Sequence, residues 1–346
     1  MREQSKEFLK SLLNAPSPSG FEEPAVEVWK DYVNGYMPYP AQTHNYGYTT
    51  VRFSPTNEVG LFGHIDEIGL IVNYINDEGF IYVDMIGGVD RANLIGRRVT
   101  ILTEDGNIEG VIARKAAHLL EEDEEDTIPE LSKMPIDIGA SSGDEAKSLV
   151  TVGDPVVLVS EPCILLNDRI VSRGLDDKVG AWVVAEVLRE LSLLNERPDV
   201  IGVATVQEEI GFHGACMAAS NDFTRPQQAV AIDVMHATDT PGSDKEKGGD
   251  LKLGEGPIIS LGGPVNKVIS SELRKVAEDN DIEYQLDIRQ NYTGTDADGI
   301  FLKRGGIPTG VVSIPNRYMH SPVEMVQLSD LEATVRLLKE WCLTKM

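Results

Sequence analysis

The chain has 346 residues, with 31 Lys plus Arg against 56 Asp plus Glu, a formal net charge of −25 and 41% apolar residues. So acidic a chain is poorly suited to nucleic-acid phosphates or an anionic membrane surface, both of which call for a basic face. It has no apolar run of the roughly 18 residues a bilayer span needs, and its balance of apolar and charged residues is that of a globular protein, not a disordered one.

In chain order, Phe8, Leu9, Leu12 and Leu13 form an apolar stripe at helical spacing, which Pro16, Pro18 and Gly20 end. Val26, Trp29 and Val33 predict a second helix. The opening MREQSKEFLKSLLNAPSPSG has neither the apolar core nor the small-residue cleavage site of a secretory signal. Cys163, Cys216 and Cys342 are far apart and form no CxxC, so a disulfide framework is not expected and a reducing cytoplasm is.

A buried strand is predicted to end at Gly-Leu-Phe-Gly-His64. From 69 to 165 the texture becomes that of strands, with a hairpin predicted at Asp105-Gly106. The acidic run from Glu121 to Asp126 reads as a solvated loop, because adjacent like charges gain nothing from burial. Residues 69–165 therefore read as a small β domain inserted into a larger domain made of 1–68 and 166–346. Gly87-Gly88 within it reads as a turn or bulge.

Beyond 170 helices and strands alternate. A helix is predicted over 178–194, with Val179, Val183, Val187 and Leu191 on one face. Strands are predicted over 199–206, 228–232 and 309–314, and helices over 268–280 and 329–341. Ser329 and Glu332 have the spacing of a capping box. Near-continuous apolar strands between helices imply a mixed sheet covered on both faces.

The polar residues at the strand exits carry the chemistry. His64 and Asp66 follow one strand, Glu208 and Glu209 the next, Asp233 a third, and His320 lies in the loop after a fourth. Asp176 and Asp177 open the 178–194 helix, where either could simply be its cap. In open α/β sheets ligands bind beyond the carboxyl ends of the strands. Several carboxylates so close together cannot all stay ionised without cations. His, Asp and Glu suit Zn²⁺. His64, Asp176, Glu209, Asp233 and His320 are too many ligands for one open catalytic ion, and fit two divalent ions if one carboxylate bridges.

Five ordered motifs complete the reading: His64-Ile65-Asp66-Glu67-Ile68-Gly69, Gly174-Leu175-Asp176-Asp177-Lys178-Val179-Gly180, Val206-Gln207-Glu208-Glu209-Ile210-Gly211, Asp233 followed by Asp239-Thr240-Pro241-Gly242, and Arg317-Tyr318-Met319-His320-Ser321-Pro322. Together they resemble the dinuclear metallo-aminopeptidases of the glutamyl aminopeptidase and tetrahedral (TET) aminopeptidase family, nearly end to end. Ile136-Asp137-Ile138-Gly139-Ala140-Ser141-Ser142 resembles the same family. Its members are sometimes labelled endoglucanase or cellulase, a label at odds with the two free carboxyls a glycosidase needs.

The resemblance implies a zinc-peptidase-like α/β core and a barrel-like insert used for dimerisation. It implies that Asp176 bridges two ions, that His64 and Asp233 complete one, and that Glu209 and His320 complete the other. Glu208 would be the general base, and Asp66 would hold the His64 imidazole. Thr295 and Asp296, in Thr293-Gly294-Thr295-Asp296-Ala297, would line the substrate pocket or cap a helix, and His236 would lie nearby. Cys216 reads as a small buried hydrophobe on a helix. The implied activity is removal of N-terminal residues from short peptides with a free N-terminus. The ions would be zinc first, with cobalt or manganese as alternatives, and the assembly a homo-oligomer, either a dimer or a tetrahedral dodecamer. A dinuclear amidohydrolase acting on small N-acyl substrates and a non-enzymatic assembly scaffold are the competing readings.

Overall fold

The computed structural model describes all residues except Asn57, Asp123 and Glu125. Four strands at its centre, Val200–Thr205, Val59–His64, Gln228–His236 and Thr309–Asn316, run side by side and parallel. Further strands widen the sheet to eight: Gln42–Thr43 and Thr49–Arg52 at one edge, Ile258–Gly262 and Gln285–Arg289 at the other. Val59–His64, Val200–Thr205 and Thr309–Asn316 are buried at every position, as strands covered on both faces must be. One face carries the helix Leu175–Ser192, itself packed beneath Glu3–Asn14, Glu23–Asn34 and Leu328–Leu343. The other carries the shorter helices His213–Ser220 and Asp296–Ile300.

The apolar stripes of the first two helices are buried in this core. Trp29 Nε1 donates to the Ala181 carbonyl at 2.8 Å and Trp182 Nε1 to Ser5 at 3.0 Å, so both buried indoles are satisfied. The long helix meets the sheet through two glycines. A Cβ on Gly63 would lie 2.5 Å from the Gly180 carbonyl carbon, which no real contact tolerates. The bare Gly63 lets the helix start lie against the strand end that carries His64, and the bare Gly180 leaves room for the Asp177 carboxylate, which a Cβ there would overlap.

Gly69–Ile75, Ile81–Ile86, Ile136–Asp137, Gly106–Ile112, Arg97–Thr103 and Pro155–Leu158 close into a six-stranded barrel with its own apolar core. The hairpin turns at Glu104 and Asp105, pairing Thr103 with Gly106. A three-stranded sheet of Cys163–Leu165, Arg169–Ser172 and Glu324–Gln327 follows where the chain leaves the barrel.

Several local expectations change. The last helix begins at Leu328 after Gln327, with no side-chain cap, so Ser329 and Glu332 form no capping box; Glu332 instead pairs with the Met1 amino group. A helix Gly143–Leu149, capped by Ser142, stands within the stretch expected to be strands. Cys216 is only partly buried, on a short helix that buries Gly214, Ala215, Ala218 and Ala219. The acidic run lies partly outside the described residues; within them, Glu121, Glu122 and Asp126 are exposed and Glu124 pairs with Lys115 at 3.0 Å. Among the described residues no helix is long and apolar enough to cross a membrane.

Candidate metal centre and active site

The parallel strands deliver their C-terminal ends to one edge. His64 ends its strand opposite Thr205, and Asp233 lies just past the register pair Ile232 and Gly63. Glu208 and Glu209 follow Val200–Thr205, His320 follows Thr309–Asn316, and Asp176 enters at the start of the long helix. Asp176 lies between the histidines, with Oδ1 3.2 Å from His64 Nε2 and Oδ2 3.2 Å from His320 Nε2. His320 Nε2 is also 3.3 Å from Glu209 Oε1. On the other side, His64 Nε2 is 3.9 Å from both Glu208 Oε2 and Asp233 Oδ1. Asp177 points away: its carboxylate accepts from the Gly180 N–H at 3.1 Å and the His64 N–H at 3.3 Å. Asp176 and Asp177 are themselves non-helical, so Asp177 caps the regular turns that follow while its neighbour Asp176 faces the histidines.

A second layer fixes these groups. The His64 Nδ1 is 3.1 Å from the Asp66 carbonyl and 3.4 Å from its carboxylate. The Asp66 carboxylate accepts chiefly from Ser19 Oγ at 2.6 Å and from the Glu208 and Glu209 N–H groups at 3.0 and 3.2 Å. It therefore sets the backbone that carries both glutamates as well as facing the imidazole. Beneath them, buried Glu67 binds the Lys178 ammonium at 2.8 Å and the Arg173 guanidinium, and Lys178 reaches the Ala15 carbonyl at 2.7 Å.

Burial and mutual repulsion govern the site's charge. Burial, with Asp233, Asp296 and Glu209 nearby, pushes Glu208 to about 11. Burial and Asp176 raise Asp233 and Glu209 too. Burial would raise Asp176, but hydrogen bonds to His320 and His64 win and hold it below the usual carboxylate range. The Asp176 and Glu209 carboxylates that face its Nε2 carry His320 up to about 11. Protons must therefore offset the acids wherever metal does not.

The donors fit divalent cations. Among the described residues, ligand atoms of His64, Glu208 and Asp233 lie within 4.8 Å of one another, as do those of His64, Asp176 and Glu209. Glu209 Oε1 is buried without a hydrogen bond, the state of an oxygen shaped for a cation. These groups open on a cleft of about 310 Å³ lined also by Phe212, Met235, His236, Arg289, Thr295 and Met319.

Of the weaker candidates, Thr295 lines this cleft and also caps the helix Asp296–Ile300 through the Ala297 N–H. Asp296 sits behind it, accepting from Thr205, and burial raises it to about 6. His236 lies on the cleft wall, where burial lowers its pKa. Three residues escaped sequence reasoning. Gly88 of the barrel region offers its carbonyl to His320 Nδ1 at 3.1 Å. Glu324 accepts from the Asp176 and His320 N–H groups at 2.8 and 3.0 Å; burial and Asp176 raise its pKa against those bonds. Arg289 places a guanidinium on the cleft wall. Only Glu324, four residues beyond His320, carried any sequence signal.

The M42 glutamyl aminopeptidase family model matches residues 50–337. A lysyl aminopeptidase from Pyrococcus furiosus is 31% identical over 343 residues, covering 96% of this chain and 95% of that protein. The crystal structure of a TET aminopeptidase from a marine sediment archaeon, Thaumarchaeota archaeon SCGC AB-539-E09, superposes with a TM-score of 0.91 at 34% identity, covering 98% of this chain and 95% of that one. A TET peptidase from Pyrococcus horikoshii, which can assemble into a tetrahedron or a large octahedral shell, does so with a TM-score of 0.86 at 33% identity, covering 97% and 98%. With the α/β sheet, the barrel and the ordered motifs in place, the chain belongs to the M42 glutamyl aminopeptidase family and is an aminopeptidase.

Proposed function

We propose that the chain is a two-metal aminopeptidase that removes N-terminal residues from short peptides. The observation that carries this is Asp176, whose two oxygens each lie 3.2 Å from a different histidine, the disposition of a bridging carboxylate. His64 and Asp233 would hold one ion with it, and Glu209 and His320 the other, with zinc the first candidate and cobalt or manganese the alternatives. When bound, such a pair acidifies the attacking water and polarises the scissile carbonyl. Glu208 is left as the general base. Its backbone is fixed by Asp66, and with cations in the site offsetting the burial that otherwise keeps it protonated, its carboxylate would take a proton from the attacking water and pass it to the leaving amine.

Arg289 is the only Lys or Arg on the cleft wall among the described residues; it already pairs with Asp287 and donates to the Thr293 carbonyl at 2.7 Å, so a substrate whose first side chain is acidic would have to share it. The barrel leaves Tyr74, Phe80 and Val111 exposed, which supports its use, as domain 69–165, in a homo-oligomer. The test is metal analysis and turnover of aminoacyl p-nitroanilides by the chain reconstituted with Zn²⁺ or Co²⁺. Two ions per chain, with cleavage abolished by blocking the substrate amine, is the expected result. At most one ion overturns the two-metal reading, and cleavage of amine-blocked substrates favours the amidohydrolase. The clustering of Glu208 with His64 and Asp233, their ligand atoms within 4.8 Å of one another, motivates a second reading, in which Glu208 is a ligand; loss of an ion from Glu208→Gln would establish it.

A further inference from the structure

Glu324 has no place in the ligand set above, yet its one carboxylate holds the backbone of two residues in that set. Oε2 accepts from the Asp176 N–H at 2.8 Å and Oε1 from the His320 N–H at 3.0 Å. The side chain is 2% exposed, so water does not compete for these bonds.

The sheet explains why one residue reaches both. Glu324 opens the strand Glu324–Gln327 and pairs with Ser172 of the antiparallel strand Arg169–Ser172. The first strand follows directly from the His320 turn, and the second runs through Gly174, at φ +60°, into Asp176. Both ligand segments thus leave the same end of one strand pair. His320 itself adopts φ +60°, a left-handed conformation that is unfavourable for a non-glycine residue and persists only where its surroundings enforce it. The bond from its N–H to Glu324 is one such restraint.

We propose that Glu324 is a positioning residue, a carboxylate clamp that presets the backbones of Asp176 and His320 so that their side chains meet around metal. This rests on the reading that those two residues are ligands. The clamp needs two acceptor oxygens. A glutamine offers one and turns an N–H₂ group towards the other backbone N–H. Partners outside the ligand shell typically change metal affinity by about 10- to 100-fold.

The test uses the full chain with Co²⁺ as probe. In metal-free wild type, the Asp176 and His320 amides are expected to exchange hydrogen slowly. Glu324→Gln is expected to keep its metal-free melting temperature within a few degrees and to bind Co²⁺ about 10- to 100-fold more weakly. Unprotected amides in the wild type overturn the clamp, whether or not the variant folds. So does a folded Glu324→Gln that binds Co²⁺ as tightly as wild type. A wild type with slow amides that binds no Co²⁺ overturns the ligand reading, and the proposed role in metal binding with it.

Discussion

Along Val59–His64 and Thr309–Asn316 every side chain is buried, whereas along Ile81–Ile86 and Arg97–Thr103 buried positions are interrupted by open ones. A sheet covered on both faces has room for charge only where its strands end. A barrel packs one face and leaves the other to solvent. The net charge of −25 therefore has two parts. In the barrel region, acids such as Glu109 and Glu121 sit in water. At the sheet's edge Asp176, Glu208 and Asp233 are buried, where charge has to be balanced by protons, histidines or cations. The same residue type is solvated in one region and buried in need of a balancing partner in the other.

That contrast can be tested, starting with the largest effect. If Glu208 is the proposed base, Glu208→Gln should lower kcat by about 10²- to 10⁴-fold without changing the metal content, measured by p-nitroanilide turnover alongside metal analysis. Normal turnover would remove Glu208 from the role of base. Next is Glu67, a buried acid beneath the site that is satisfied by cations of the chain itself. Burial would raise it, but Arg173 and Lys178 bring it from 4.5 to about 2. A lowered folded pKa gives stability that is present above the unfolded value and lost as pH falls through the folded one. Glu67→Gln should thus cost about 3 kcal/mol at pH 7, and the gap to wild type should narrow between about pH 4.5 and 2, as read by urea unfolding.

In the barrel, Ile136→Ala empties a fully buried position and should cost about 2–5 kcal/mol. If the two regions have separate roles, kcat of the folded variant at low temperature stays unchanged. A fall in kcat would show the site depending on the barrel core. Gly88→Ala probes the point where the regions meet. A Cβ there would lie 2.8 Å from His320 Nδ1, so metal affinity should drop by roughly tenfold, while an inert substitution would show that the barrel contact does not set the ring. Smallest is Arg289→Met, expected to reduce kcat/KM for glutamyl p-nitroanilide about fivefold, the size of one partly exposed charge contact, and to spare leucyl p-nitroanilide. An equal loss on both would assign Arg289 to structure instead of selectivity.

The first helices, the long and last helices, the central strands and the edge on which polar residues collect were legible in the sequence. Apolar runs of strand length ending in His, Asp or Glu have few other physical solutions, and motif order tied His64, Asp176, Glu208, Glu209, Asp233 and His320 to a family. Local rules failed where neighbours in space decided the outcome. The Ser329 cap gave way to a helix that starts one residue earlier. Of the two adjacent acids at the long helix, packing against Gly63 and Gly180 made Asp177 the cap and left Asp176 facing the histidines. Gly88, Arg289 and Glu324 reach the site from the barrel region, the sheet's edge strand and the strand after His320. Their hydrogen bonds and cleft positions depend on distances between segments up to 232 residues apart, which periodicity and spacing do not encode and only the folded chain sets.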